Sequence, residues 1–423
     1  MNMENMIFSP SVIDGEVRIP SSKSQAHRAL ICAALAGNCK AEGVDLSNDI
    51  RVTAQALESL GAQLTYHEAT RTFRITSPCV RGQGMDAGVI NCGESASALR
   101  FFIPIVAALG TSATFVGEGR LPKRPTDMYK PLLEAGGATL IFPDNGDYLP
   151  LAVSGQLKAG KYSLRGDVSS QFVTGLLFAL SQCEGTSEIE LTTKLESKPY
   201  ADLTVDILRR FGVGITERDG GYIIEGGKLT PTDVCVEGDC SQAAFFAVAA
   251  AIGGRVTMHG IDPATRQGDF ALFSIVERFG ATVTWKDGSV TVEKAECLKA
   301  SDIDAADIPD LVPALAVMAA FAKGTTRIYN GARLRIKESD RIATTAAMLS
   351  ALGADITETE DGLIIVGKPK LDGGRVSSAN DHRIAMAAAA ASAGCVGDVV
   401  VDDMSCINKS YPEFLNDFGK VTK

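Results

Sequence analysis

The 423 residues are 45% hydrophobic and 22% charged, a composition that fits a globular chain too long for one core and suited to two or three domains. A net charge of −10 argues against a nucleic-acid surface. No stretch of about 18 apolar residues free of charges or turn signals offers a membrane span, and the first residues lack the basic and apolar regions of a secretory signal. Ten cysteines without a Cys-x-x-Cys and four scattered histidines fit buried, reduced thiols in a cytoplasmic protein better than a disulfide framework or a metal site.

Taken in chain order, one element recurs six times at a spacing of about 70 residues. A polar lead-in precedes an Ala-rich apolar run that ends at Gly. The copies open at Ser22-Lys23-Ser24, Gly93-Glu94-Ser95, Asp167-Val168-Ser169-Ser170, Gly238-Asp239-Cys240-Ser241, Asp307-Ile308-Pro309-Asp310 and Asn380-Asp381-His382-Arg383. These runs have no polar face, which predicts buried helices, and Ser, Asp and Gly are good caps for their starts. A second element alternates with the first. It is an amphipathic helix closed by Gly and followed by a short strand, at Leu60-Gly61, Gly136-Gly137, Phe211-Gly212, Phe279-Gly280, Leu352-Gly353 and Phe418-Gly419. The pattern predicts a mixed α/β chain of six modules in two domains of three, with a break near Lys228-Leu229-Thr230-Pro231. The expected division is 21–235 for one domain and 1–20 with 236–423 for the other, so that the chain crosses between them twice. Six polar helix starts facing a shared interdomain cleft would suit multiply anionic ligands.

Several motifs could carry chemistry. Lys23, Ser24 and Arg28 open the first buried helix. Arg120, Lys123 and Arg124 lie in a loop stiffened by two prolines. Asp167-Val168-Ser169-Ser170-Gln171 places hydroxyls and an amide at a helix start, and Ser197-Lys198-Pro199-Tyr200 forms a turn. Asp310 enters the Ala-rich helix from Pro313. Arg335-Ile336-Lys337-Glu338-Ser339-Asp340-Arg341 reads as the start of an amphipathic helix, with Lys337 and Arg341 on one face and Glu338 beside them. Two cations with a carboxylate suit anion binding with proton transfer. A charged triplet, Asp381-His382-Arg383, running straight into an apolar helix is hard to read as surface decoration.

In this order, with Lys409-Ser410-Tyr411-Pro412 near the end, the motifs resemble the EPSP synthase family over essentially the whole chain. The resemblance implies two domains of three βαβαββ units each, an inside-out α/β barrel closing on the active-site cleft. It implies transfer of the enolpyruvyl group of phosphoenolpyruvate to the 5-hydroxyl of shikimate-3-phosphate in the pathway to chorismate and aromatic amino acids. No cofactor, metal, nucleic acid or membrane is implied, and the family is often monomeric. Lys23, Ser24, Arg28, Ser169, Ser170, Gln171, Ser197, Tyr200, Asp310, Arg333 and Lys337 would hold or lie beside shikimate-3-phosphate. Lys23, Ala96, Arg124, Gln171, Arg341, Arg383 and Lys409 would meet phosphoenolpyruvate. Asp310 would take the proton of the attacking hydroxyl, Glu338 would protonate the methylene carbon, and Lys23 would share in catalysis.

The sequence departs from the family pattern at three places. Glu94 stands where an Asn is usual, Ala96 replaces a Gly close to phosphoenolpyruvate, and Arg333 occupies a position that is often Asn. The Ala96 methyl should crowd the longer inhibitor glyphosate more than the substrate. Two competing readings predict different residues. The sister UDP-N-acetylglucosamine enolpyruvyl transferases usually carry Lys-Asn where Lys23-Ser24 stands, and a Cys in the loop that here, from Val116 to Pro125, has none. A non-catalytic anion-binding repeat scaffold need not keep Asp310 and Glu338, and a clamp on DNA would need a basic inner face.

Overall fold

A helix without a polar face is stable in water only when covered on all sides, and such helices centre each half of this chain. The computed structural model describes residues 3–82 and 84–423. Contacts divide the chain into two compact units, Lys23–Val236 and a second made of the segment ending at Ser22 with Glu237–Lys423. Each has its own apolar core. In the first unit the helices are α1 (Lys23–Ala36), α2 (Asn48–Ser59), α3 (Ala96–Leu109), α4 (Tyr129–Ala135), α5 (Ser170–Leu180) and α6 (Lys198–Arg210). The second holds α7 (Cys240–Gly253), α8 (Ala271–Arg278), α9 (Val312–Ala320), α10 (Arg341–Ala351), α11 (His382–Ala391) and α12 (Phe414–Val421). The buried helices are α1, α3 and α5 in one unit and α7, α9 and α11 in the other. The others bury one stripe, as α6 does with Ala201, Val205 and Leu208.

The expected βαβαββ module is plain in the third repeat. Lys161–Leu164 runs parallel to Gly185–Leu191, which pairs antiparallel with Gly221–Gly226, itself paired with Gly214–Arg218. The parallel step is bridged by α5, and α6 leads into the closing hairpin. Three sheets are completed by strands distant in sequence. Cys39–Glu42 takes Val234–Cys235 as its parallel neighbour, and Gly254–His259 takes Ile13–Arg18. The sixth sheet, with Gly374–Val376 and Val399–Asp403, is closed antiparallel by Glu4–Phe8.

That last sheet corrects one expectation. Gly419 does not end a helix before a strand but lies inside α12, and the chain finishes with a bridge from Thr422 to Ile13. The role that a hairpin after α12 would play is taken by the N-terminal strand.

One packing detail bears on the site. Pro104 lies inside α3, where a missing N–H leaves the carbonyl four residues earlier without its helical donor. That carbonyl belongs to Arg100, and the Tyr129 hydroxyl donates to it at 2.7 Å. The approach of α5 leaves no room for a side chain: a Cβ on Gly175 would lie 2.4 Å from the same carbonyl oxygen and 2.2 Å from Tyr129 Oη. Cys32, Cys183 and Cys395 are buried free thiols. Among the described residues no helix is long and apolar enough to cross a membrane.

Candidate active site

In the Lys23–Val236 unit, the buried helices α3 and α5 begin side by side, Gln171 Nε2 meeting Ser97 Oγ at 2.9 Å, and α1 reaches α5 through Arg28 and Thr174. No acidic residue lies in the first turn of α1, while α3 and α5 are capped by the neutral hydroxyls of Ser95 and Ser169. Their N-terminal partial positive charge is therefore not neutralised by a capping carboxylate, which favours anions. Lys23 Nζ meets Asp49 Oδ2 at 2.9 Å. His27, beside them, is buried against Thr53 Oγ1; burial pushes its pKa down to about 3, so the ring stays neutral.

Arg28 ties α1 to α5 and α6. Its Nε donates to Thr204 Oγ1 at 2.8 Å, its Nη2 to the Tyr200 carbonyl at 2.7 Å and to Thr174 Oγ1 of α5 at 3.4 Å, and its Nη1 to the Ser24 carbonyl at 2.6 Å. Burial lowers its pKa to about 10, still cationic at neutral pH. Ser169 Oγ accepts from the Gln171 amide, and Ser170 is buried. Ser197 precedes α6 at φ 52°, a left-handed conformation that costs an L-residue roughly 1–2 kcal/mol. Ala96, the first residue of α3, is 5% exposed. Arg124 is buried after the turn Leu121–Lys123, whose Pro122 carbonyl accepts from the Tyr148 amide at 2.7 Å. Glu94 lies against Gly119 of the same loop.

The second unit caps two of its buried helices differently. Asp239 accepts from the Ser241 and Gln242 amides at the start of α7, and Asp381 from the Arg383 amide at the start of α11. Asp310 lies in the turn Pro309–Leu311 before α9. It gathers cations: Arg341 Nη1 at 2.9 Å, Arg383 Nη2 at 3.0 Å and Lys337 Nζ at 3.4 Å. Burial alone would raise the Asp310 pKa, but Arg383, Lys337 and Arg341 together hold it well below the ordinary 3.8. Glu338 Oε2 pairs with Arg341 Nη2 at 2.9 Å. Arg341 is 1% exposed and Asp381 is fully buried. They meet through Nε at 2.8 Å and Nη2 at 3.2 Å, a two-armed grip. Asp381 also accepts from Ser339 Oγ at 3.0 Å. Lys409 is buried at the end of the turn Ser405–Lys409, which packs on α11. Arg333 donates to the Ala306 carbonyl, in the segment leading to Asp310.

The expected helix around Lys337 is not there. Residues Ala332–Ile336 form a 3-10 turn, Lys337 is extended, and α10 starts only at Arg341, capped by Asp340. Lys337 and Arg341 meet Asp310 because the chain turns between them, not because they share a helix face. Sequence reasoning also missed three partners. Asp49 holds Lys23, Asp381 holds Arg341, and Arg100 donates to Gln171 Oε1 at 2.8 Å. Only Asp381 left a local signal, as part of the charged triplet before a buried helix.

The fold and these groups define a two-unit α/β repeat protein in which each unit gathers cationic and polar side chains at the starts of its buried helices. The same fold occurs in the enolpyruvyl transferase NikO of Streptomyces tendae, 18% identical with a TM-score of 0.76 over 99% of this chain and 97% of that one. It also occurs in the EPSP synthase of Acinetobacter baumannii, 27% identical with a TM-score of 0.80 over 98% of both chains. The EPSP synthase (3-phosphoshikimate 1-carboxyvinyltransferase) family matches residues 8–418. Among curated relatives, the 3-phosphoshikimate 1-carboxyvinyltransferase of Clostridium novyi (strain NT) is 43% identical over 99% of this chain and 98% of its own. That of Clostridium kluyveri is 42% identical over 98% and 97%. The chain belongs to the EPSP synthase family.

Proposed function

We propose that this chain joins phosphoenolpyruvate to shikimate-3-phosphate, giving 5-enolpyruvylshikimate-3-phosphate and phosphate. The observation that carries the reading is Asp310 held by Lys337, Arg341 and Arg383, with Glu338 on the same Arg341. Here a base, an acid and the cations for a carboxylate and a phosphate lie within a few ångströms. The 5-hydroxyl adds to C2 of phosphoenolpyruvate and passes its proton to Asp310 as C3 receives one from Glu338, giving a tetrahedral intermediate. Phosphate then leaves as C3 returns a proton, restoring the vinyl group. Fixed cations stabilise the departing phosphate without reorganising. Without substrate, the cations make Asp310 a poor base. Bound carboxylate and phosphate offset their charge and raise its proton affinity toward what the step requires.

In this reading Lys23, Ser24, Arg28, Ser169, Ser170, Ser197 and Tyr200 serve shikimate-3-phosphate, and Arg124, Gln171, Arg341, Arg383 and Lys409 serve phosphoenolpyruvate. The setting is a cytoplasmic monomer supplying chorismate. The test is phosphate release from phosphoenolpyruvate by purified protein, with shikimate-3-phosphate or UDP-N-acetylglucosamine as acceptor. Release with shikimate-3-phosphate alone is expected. Release only with the nucleotide sugar would overturn the acceptor, and release with neither would overturn the reading.

The same assay examines Ala96. Its buried methyl fills space at the start of α3, so a ligand longer than the substrate meets overpacking there. Ala96→Gly should strengthen glyphosate inhibition by about tenfold or more relative to the KM for phosphoenolpyruvate. An unchanged inhibition constant would count against that crowding.

A further inference from the structure

Gln171 can present either end of its amide to a ligand, and the choice matters because an anion accepts only from donors. The neighbouring Arg100 settles it. An Arg side chain has donors and no acceptor, so the end of Gln171 that it meets is the carbonyl. Arg100 Nη1 donates to Gln171 Oε1 at 2.8 Å, which turns Nε2 toward Ser97 Oγ at 2.9 Å. The second arm, Nη2, donates to the carbonyl of Pro125 at 2.9 Å, the residue after Arg124. One guanidinium thus links the start of α5 to the Arg124 loop.

Arg100 is itself buried and packed. It is 3% exposed, with its guanidinium carbon 4.8 Å from the centre of the Phe172 ring. Its backbone carbonyl, left without a helical donor by Pro104, is taken by Tyr129 Oη. Burial pushes the Tyr129 phenol well above its ordinary pKa, so the hydroxyl remains a donor. Gly175 lets α5 approach so closely that a Cβ there would collide with both the Tyr129 hydroxyl and the Arg100 carbonyl.

We infer that Arg100, locked by Pro104 and Tyr129, is a positioning residue that fixes the Gln171 amide as a donor and anchors the Arg124 loop, so that this part of the site selects anions. The inference rests on the proposed reaction only for the ligand that Gln171 meets.

The test uses Arg100→Met, which keeps an apolar stem over Phe172 and removes the donors, together with Gln171→Ala and the double variant. Steady-state constants are measured with the full chain, and wild-type turnover serves as the control for the proposed reaction. Each single variant should raise the KM for phosphoenolpyruvate about tenfold. Adding Gln171→Ala to Arg100→Met should change it by less than about twofold, because the amide is already misdirected. Losses that multiply would show that Arg100 acts independently of Gln171 and would overturn the inference.

A ligand-free readout separates this outcome from failure of the proposed reaction. The side-chain amide resonances of [15N]glutamine-labelled protein that vanish in Gln171→Ala should shift in Arg100→Met, and an unmoved pair overturns the inference whatever the turnover. If Arg100→Met does not fold, Arg100→Lys, which keeps one charge but loses the two arms, carries the same comparison.

Discussion

Asp310→Asn is expected to slow phosphate release by about a thousandfold, within the range for removing a positioned general base. The side chain keeps its size, so Arg341, Arg383 and Lys337 lose a charge rather than a shape. Binding of the anionic substrates should hold or tighten as an opposing carboxylate disappears, which places the loss in kcat and not in KM. A variant retaining a tenth or more of the wild-type kcat would remove Asp310 from the role of base. The same substitution alters pH dependence. The folded Asp310 binds its proton more weakly than an unfolded carboxyl near 3.8. Its contribution to stability is therefore complete above that value and fades as the pH falls through the lower folded one. The stability gap between wild type and Asp310→Asn should accordingly be largest near neutrality and narrow in acid, as urea titrations at several pH values would show.

Arg341→Met should be the most destabilising single change in the site. Arg341 is 1% exposed and pairs with Asp381, which is fully buried, as well as with Asp310 and Glu338. Burial opposes its charge, but Asp381, Glu338 and Asp310 overcome this and raise its proton affinity. Met fills a similar volume and leaves Asp381 with Ser339, a backbone amide and His382 Nδ1 at 3.8 Å, but no permanent cation. Breaking a buried pair in this way costs about 3–5 kcal/mol. In a unit of this size that lowers the melting temperature by roughly 6–20 °C. Arg341→Met with Asp381→Asn should recover part of the loss, since the stranded charge is gone. Calorimetry of the three proteins decides the matter: a single variant melting within about 2 °C of wild type would show that solvent reaches Asp381.

The six modules were legible because they depend on local chemistry. Apolar runs such as Phe245–Ile252 have no polar face and can only be buried, and the Gly residues after Leu60, Phe211 and Leu352 end helices by supplying a positive φ. The order of the motifs pointed to the family for the same reason, since each is a contiguous stretch at a helix start or turn. The helix expected around Lys337 failed locally as well. Spacing four apart is helical only if the residues between are helical, and here the chain bends through Lys337–Ser339 and Asp340 caps a helix that starts only at Arg341.

What only the tertiary structure decided is pairing across long stretches of chain. The strands Ile13–Arg18, Val234–Cys235 and Glu4–Phe8 complete sheets whose other strands are far away in sequence, and no local pattern names such partners. Asp49 beside Lys23, 26 residues apart, and Arg100 beside Gln171, 71 apart, belong to the same class. Apart from the chain around Lys337 and the end of α12, the sequence by itself determined the elements, their burial and the residue types at the helix starts, because these follow from periodicity and caps. Which carboxylate holds which cation, and which end of Gln171 meets Arg100, was decided by packing that brings separate modules within hydrogen-bond reach.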